Sequence, residues 1–297
     1  MLRATARSPG SMMTYLVQRD FASKPNLALP KSACDCHAHI FGLADAYPFA
    51  DTRDYTPPAA PIPQYLAMLA TVGLERAVIV QPSVYGYDNR CTLDAVETIG
   101  LDRARAVVAV APVATRASLA ALYERGARGV RFMHGGSDPA FLESLKTLAA
   151  HLADLGMHVQ LYVRPAVWRQ LLPVFEETEV NVVLDHIAHL TADQDAEAEN
   201  LDALCAALDR GRTWVKLSQC RGSLTNHPFE DTTPLAARIA AHAPERCVWG
   251  TDWPHPNSTG HMPDDGELVD LIAGWAPDPM LRQRILVDNP AVLYGFD

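Results

Sequence analysis

Eight short apolar runs rich in β-branched residues recur along this 297-residue chain, each followed by a helix-length stretch of amphipathic spacing. The runs lie at 33–40, 75–82, 105–112, 127–133, 157–163, 180–186, 213–218 and 246–252. Helical patterns occupy 62–72, 89–100, 116–125, 138–155, 165–178, 197–209, 232–242 and 265–276. Gly73, Gly126 and Gly156 stand where helices should close, and Pro165 stands where one should open. Strands that are apolar on both faces and alternate with helices imply a parallel sheet. Eight such units in about 260 residues imply an α/β chain closed into a (β/α)8 TIM barrel. The alternative, a doubly wound open sheet, lacks its Gly-rich phosphate loop after the first run. We read one domain over 31–297, preceded by an N-terminal extension over 1–30.

In such barrels the chemistry sits at the C-terminal ends of the strands. Strand 1 ends with His37 and His39, strand 2 with Gln81 and Ser83, strand 4 with Arg131, and strand 5 with Tyr162 and Arg164. Strand 6 ends with Asp185 and His186, strand 7 with Lys216 and Ser218, and strand 8 with Asp252, followed by His255 and Asn257. Alternation predicts Asp35, His37 and His39 on one face of strand 1, with Cys34, Cys36 and Ala38 on the other. Alternation likewise sends Asp185 and His186 to opposite sides. The competing readings are structural: histidines bonded to backbone, Asp252 capping a helix or bracing Arg246, and Arg131 in a rim ion pair. Against them stands the cost of burying a carboxylate between tryptophans without a partner or a task.

Composition narrows the partners. With 35 acidic and 25 basic residues the chain carries a formal charge of −10, which disfavours nucleic acid and anionic membranes. A small-molecule substrate is expected, on a monomer or homo-oligomer. Six cysteines without a CxxC pair fit a reducing compartment, and Cys34 and Cys36 are read as packing. No run approaches the length of a membrane span. The basic start lacks a secretory core and reads as a loose tail or an upstream start, with a transit peptide as the alternative, so a cytoplasmic location is expected.

Several motifs together carry a family resemblance. They are Asp35–Cys36–His37–Ala38–His39 with Phe41–Gly42, Gln81–Pro82–Ser83 with Asp88–Asn89, Gly129–Val130–Arg131–Phe132, Asp185–His186, and Trp214–Val215–Lys216. The long segment Trp249–Gly250–Thr251–Asp252–Trp253–Pro254–His255–Pro256–Asn257, followed by Pro263–Asp264–Asp265, completes the set. The chain resembles the amidohydrolase superfamily, in the branch that includes 2-pyrone-4,6-dicarboxylate lactonase. The resemblance implies hydrolysis of a carboxylate-bearing lactone from aromatic or sugar-acid catabolism, with lactone isomerases and metal-dependent decarboxylases as alternatives on the same scaffold. It implies Asp252 as base, with His37, His39 and His186 around the substrate carbonyl. Tyr55, Ser83, Arg131, Tyr162, His255 and Asn257 become expected substrate-binding residues, with Arg221 one place out of register for another.

Two departures bear on the substrate. Ser137 and His189 stand where the lactonase pattern has arginines, and a dicarboxylate needs its charges met by guanidinium forks. A monocarboxylate or sugar-derived lactone is therefore the better match. A binuclear metal site is disfavoured by Arg131 and Tyr162 at strands 4 and 5. The expectation is that no metal is required. The alternative is one divalent ion, Zn²⁺ by ligand type, on His37, His39, His186 and Asp252.

Overall fold

The computed structural model describes residues 22–133, 139–258 and 260–297. Residues 1–21 of the extension and Ser137 lie outside them. Eight parallel strands pair strictly in chain order: β1 (Cys34–Ala38), β2 (Arg76–Val80), β3 (Ala104–Val108), β4 (Ala127–Phe132), β5 (His158–Leu161), β6 (Val182–Leu184), β7 (Thr213–Lys216) and β8 (Cys247–Val248). Helices α1 (Ile62–Val72), α2 (Arg90–Ile99), α3 (Arg116–Glu124), α4 (Pro139–Asp154), α5 (Pro165–Glu176), α6 (Ala198–Asp209) and α7 (Thr233–His242) alternate with them, giving the expected (β/α)8 barrel. Local chemistry sets several boundaries. Gly73 closes α1 in the left-handed region at φ 86°, Thr115 caps α3 by accepting from Ser118 N, and Pro165 opens α5.

After β8 the pattern expected as one helix is two pieces, α8 (Asp265–Asp270) and α9 (Ile272–Trp275). They are followed by α10 (Pro279–Gln283) and α11 (Asn289–Tyr294), which were not anticipated. The chain end closes the barrel opposite its mouth. Leu293, Tyr294 and Phe296 pack against Cys34, Cys36, Val78, Val80, Val107, Val183 and Val248, the inward residues of the strands. Arg105 donates to Tyr294 O at 3.1 Å, and its guanidinium lies over the Phe296 ring. Part of the N-terminal extension is docked as well. Ser23 N and Oγ donate to Asp264, and Asn26 N and Leu27 N donate to Asp270 of α8.

β1 departs from simple alternation. Its register against β2 shifts between Asp35 and Ala38, the mark of a bulge. Cys34 and Cys36 point into the barrel, whereas Asp35 points outward and accepts from the Tyr65 hydroxyl of α1 at 3.0 Å. Beyond the bulge His37 joins the inward side, where it meets Lys216 and Asp185. The expected shared face of Asp35 and His37 is thus corrected, because one extra residue reverses the faces that follow it.

The same bulge shapes the closing seam. β8 leaves the sheet after two residues, and 249–253 run along β1 through Cys36 N→Trp249 O (2.9 Å), Asp252 N→His37 O (2.8 Å) and His39 N→Trp253 O (2.7 Å). Gly250 permits this approach, since a Cβ there would sit 2.6 Å from His37 N. Asp35 fastens the seam by accepting from Thr251 N (2.9 Å), Thr251 Oγ1 (2.7 Å) and His37 N (3.1 Å).

Burial pushes the Asp35 carboxyl up from 3.8 to about 6, against the hydrogen bonds from Thr251, His37 and Tyr65. The folded state then holds this proton more tightly than the unfolded chain. Its contribution is fully favourable below the unfolded value and is lost as pH rises through the folded one. Asp35→Asn should therefore flatten the decline of stability between pH 4 and 6 in urea unfolding. Asp35→Ala should cost about 3 kcal/mol by orphaning buried donors. An unchanged slope and midpoint would show that the seam does not depend on this group.

Candidate active site

Beneath the barrel mouth lies a fully buried charge network. Asp185 Oδ2 accepts from Arg131 Nε and from Gln160 Nε2, each at 3.1 Å. Its Oδ1 lies 3.3 Å from His37 Nδ1 and 3.6 Å from Lys216 Nζ. Lys216 donates to Cys36 O and Gln160 Oε1, both at 2.8 Å, and reaches His37 Nδ1 at 3.3 Å. Burial works to raise the Asp185 carboxyl, but His37, the Lys216 ammonium and the Arg131 guanidinium outweigh it and hold it well below the usual range. His37 is itself pushed down to about 3 by burial and the neighbouring ammonium. At neutral pH it is an uncharged imidazole, so the two cations are what keep Asp185 ionised.

This network bears on the tautomer of His37. An ammonium only donates, so its bond to Nδ1 leaves the proton on Nε2. Asp185 competes for the same nitrogen as an acceptor and favours the opposite tautomer. His39 is simpler. Its Nδ1 lies 2.7 Å from Val80 O, which only accepts, so Nε2 carries a bare lone pair.

Asp252 stands above these rings. Its Oδ1 lies 3.7 Å from His37 Nε2 and 3.6 Å from His39 Nε2, and its Oδ2 accepts from Arg221 Nε at 2.6 Å. Arg221 also donates to Pro256 O at 2.6 Å. Burial opposes ionisation of Asp252, but Arg221 and the imidazoles hold its carboxyl well below the ordinary value. Burial lowers His39 and His186 too. The result is one ionised carboxylate facing neutral imidazoles.

His186 reaches this group through unusual backbone. β6 stops at Leu184, and His186, Ile187, Ala188 and His189 all adopt left-handed conformations with φ of 49–59°. Such conformations cost about 1–2 kcal/mol per residue, and strain of this kind gathers at functional sites. Trp168 Nε1 anchors the turn on Ala188 O at 3.1 Å. Because the chain turns here, Asp185 and His186 both face the site rather than opposite sides, which corrects that expectation. The His186 ring lies 4.7 Å from His37 and 5.5 Å from Tyr162.

The structure brings nine of the eleven expected residues around one cavity of about 50 Å³: His39, Tyr55, Ser83, Arg131, Tyr162, His186, Arg221, Asp252 and Asn257. Burial raises the Tyr55 hydroxyl to about 12, keeping it a neutral donor. His37 lies beneath this lining. His255 is apart from it, with Nε2 3.0 Å from Asp265 Oδ1. Although burial works against it, that carboxylate raises His255 to about 10. Arg131, its guanidinium over the Tyr162 ring, also lines an adjoining cavity of about 500 Å³ together with Ser83 and Met133.

Ligand atoms of His37, His186 and Asp252 lie within 4.8 Å of one another, and neutral imidazoles beside a carboxylate fit a divalent ion. His37 would serve only in the tautomer that Asp185 favours, and Lys216 opposes it. The sequence marks Asp185 and Lys216 as strand-end polar residues without assigning them a task, and Gln160 is not singled out at all. Lys216→Met should destabilise the fold by about 3–5 kcal/mol by stranding Asp185. It should also release His37 to its other tautomer, visible in imidazole nitrogen NMR shifts, and a wild-type spectrum would refute that control.

The profile of the amidohydrolase family matches residues 34–296. A 2-pyrone-4,6-dicarboxylate hydrolase of Comamonas testosteroni is 37% identical over 285 residues, covering 92% of this chain and 93% of that protein. A 4-sulfomuconolactone hydrolase of Rhizobium radiobacter is 35% identical over 276 residues, covering 91% and 92%. A D-galactarolactone isomerase of Agrobacterium fabrum is 32% identical over 289 residues, covering 95% and 97%. A barrel whose last strand is laid against its first by Gly250, matched over nearly its whole length, makes this chain a member of the amidohydrolase family.

Proposed function

We propose that this protein is a lactonase, opening a carboxylate-bearing lactone by hydrolysis with Asp252 as general base. The observation that carries the reading is Asp252 Oδ1, ionised and lying 3.6 Å from the bare Nε2 of His39. Two acceptors at that spacing suit the two O–H groups of one water. His37, backed by Lys216, presents Nε2–H, and Tyr55 presents a neutral hydroxyl, so both are suited to the developing oxyanion. The water oxygen bonds the carbonyl carbon while its proton passes to Asp252. The ring C–O bond then breaks, and Asp252 returns that proton to the leaving oxygen. Arg221 holds the carboxylate in place throughout.

On this reading no metal is required, because Lys216 and Arg221 already supply positive charge to the imidazole and the carboxylate. Were a divalent ion bound, His37, His186 and Asp252 would hold it, and it would supply Lewis acidity. No helix among the described residues is long and apolar enough to cross a membrane, and we take the cytoplasm as the compartment.

The test is a panel of pyrone dicarboxylate, muconolactones and aldonolactones, assayed with and without chelator. Wild-type turnover should survive chelation, and Asp252→Asn should fold yet lose about 10²–10⁴-fold in kcat. Activity of the variant within tenfold of wild type would place the base elsewhere. The relative that isomerises galactarolactone supports a second reading, in which Asp252 moves a proton without admitting water. Absence of ¹⁸O from labelled water in the product would favour it.

The substrate charge follows from the site. Among the described residues, Lys216, Arg131 and Arg221 face Asp185 and Asp252, leaving one positive charge for one carboxylate. Arg131→Met should raise KM for an acidic lactone about 10–100-fold more than for a neutral one, the range of a charged hydrogen bond. Equal effects on both would remove Arg131 as the anchor.

A further inference from the structure

Asp252 belongs to a second group of side chains as well. A carboxylate oxygen of Asp252, the Cys220 thiol and the His255 imidazole lie within 4.8 Å of one another. Cys220 is a half-buried free thiol on the turn after β7, beside Arg221. His255 is 2% exposed, and its Nδ1 has no hydrogen-bond partner. Its other nitrogen is fixed by Asp265, the outer carboxylate that commonly orients a metal-binding imidazole. Thiol, imidazole and carboxylate in mutual reach form the donor set of a thiophilic divalent ion with one open position.

We propose that Cys220, His255 and Asp252 form a Zn²⁺-binding site distinct from the imidazole cluster, and that its occupation shuts the enzyme off. An ion there replaces protons on the thiol and on His255 Nδ1, so affinity rises with pH. It also competes with Arg221, which now holds Asp252 at 2.6 Å. A carboxylate drawn to the ion is withdrawn from the water-activating position beside His39. The consequence is reversible inhibition by Zn²⁺ or Cd²⁺ rather than activation.

The experiment titrates the full chain with Cd²⁺, following the thiolate-to-cadmium charge-transfer absorption, and runs the lactone assay in parallel. Wild type should show the band saturating at one equivalent, with activity falling as it rises. Cys220→Ser should lose the band and the inhibition while keeping turnover without metal. Asp265→Asn should weaken binding about 10–100-fold through misorientation of His255. His227→Ala tests the other cluster of possible ligands, the more exposed His227, His261 and Glu267, and should change nothing. A band that persists in Cys220→Ser, or binding lost in His227→Ala, would overturn the proposal. Circular dichroism of each variant separates misfolding from lost ligation. The band reads the site whether or not the protein proves to be a lactonase.

Discussion

The seam where the last strand meets the first is the constraint on which the site depends. Only two residues of β8 pair with β7, and the chain then crosses onto β1. A Cβ at Gly250 would collide with His37 N, so the absence of a side chain there lets Asp252 donate its backbone N–H to His37 O. The β1 bulge turns His37 inward at the same level. Asp252 and His37 are thereby placed by backbone contacts rather than by flexible side chains, the economical way to hold a site within a fraction of an ångström.

The second layer of control is electrostatic. A buried ammonium and a buried guanidinium flank Asp185, and the ammonium competes with that carboxylate for His37 Nδ1. A hydrogen-bonding site and a metal site differ here by a single proton. The same residues therefore sit near a boundary between two kinds of chemistry, and the partner of His37 Nδ1 sets the side on which they fall. Asp252, paired with Arg221 on one oxygen and facing imidazoles with the other, is the hub of both arrangements.

Backbone strain is concentrated at the mouth. The run 186–189 and the residues Asp252, His255 and Asn257 all have positive φ without being glycine. Tertiary bonds hold them there, notably Trp168 to Ala188 O and His255 to Asp265. Beneath them the strands carry apolar inward residues closed off by Tyr294 and Phe296. Rigid strands carry the cost of irregular loops, and the loops aim the functional groups.

Much of this was legible in the chain itself. The eight β-branched runs and their intervening amphipathic stretches determine a parallel barrel, because periodicity and burial are local properties of sequence. Strand-end position then selects polar residues such as His39, Arg131, Tyr162 and Asp252, which the fold gathers at one mouth. What the sequence left open were matters of partnership. Alternation placed His37 with Asp35 and parted Asp185 from His186, because neither a bulge nor a left-handed turn has a local signature strong enough to read. The Lys216–Asp185–Gln160 network, the removal of His255 from the cavity to Asp265, and the capture of Asp252 by Arg221 join residues from 10 to 56 positions apart. Periodicity reports which way a side chain points but not what it meets, and for buried charges the partner decides ionisation, tautomer and hence chemistry.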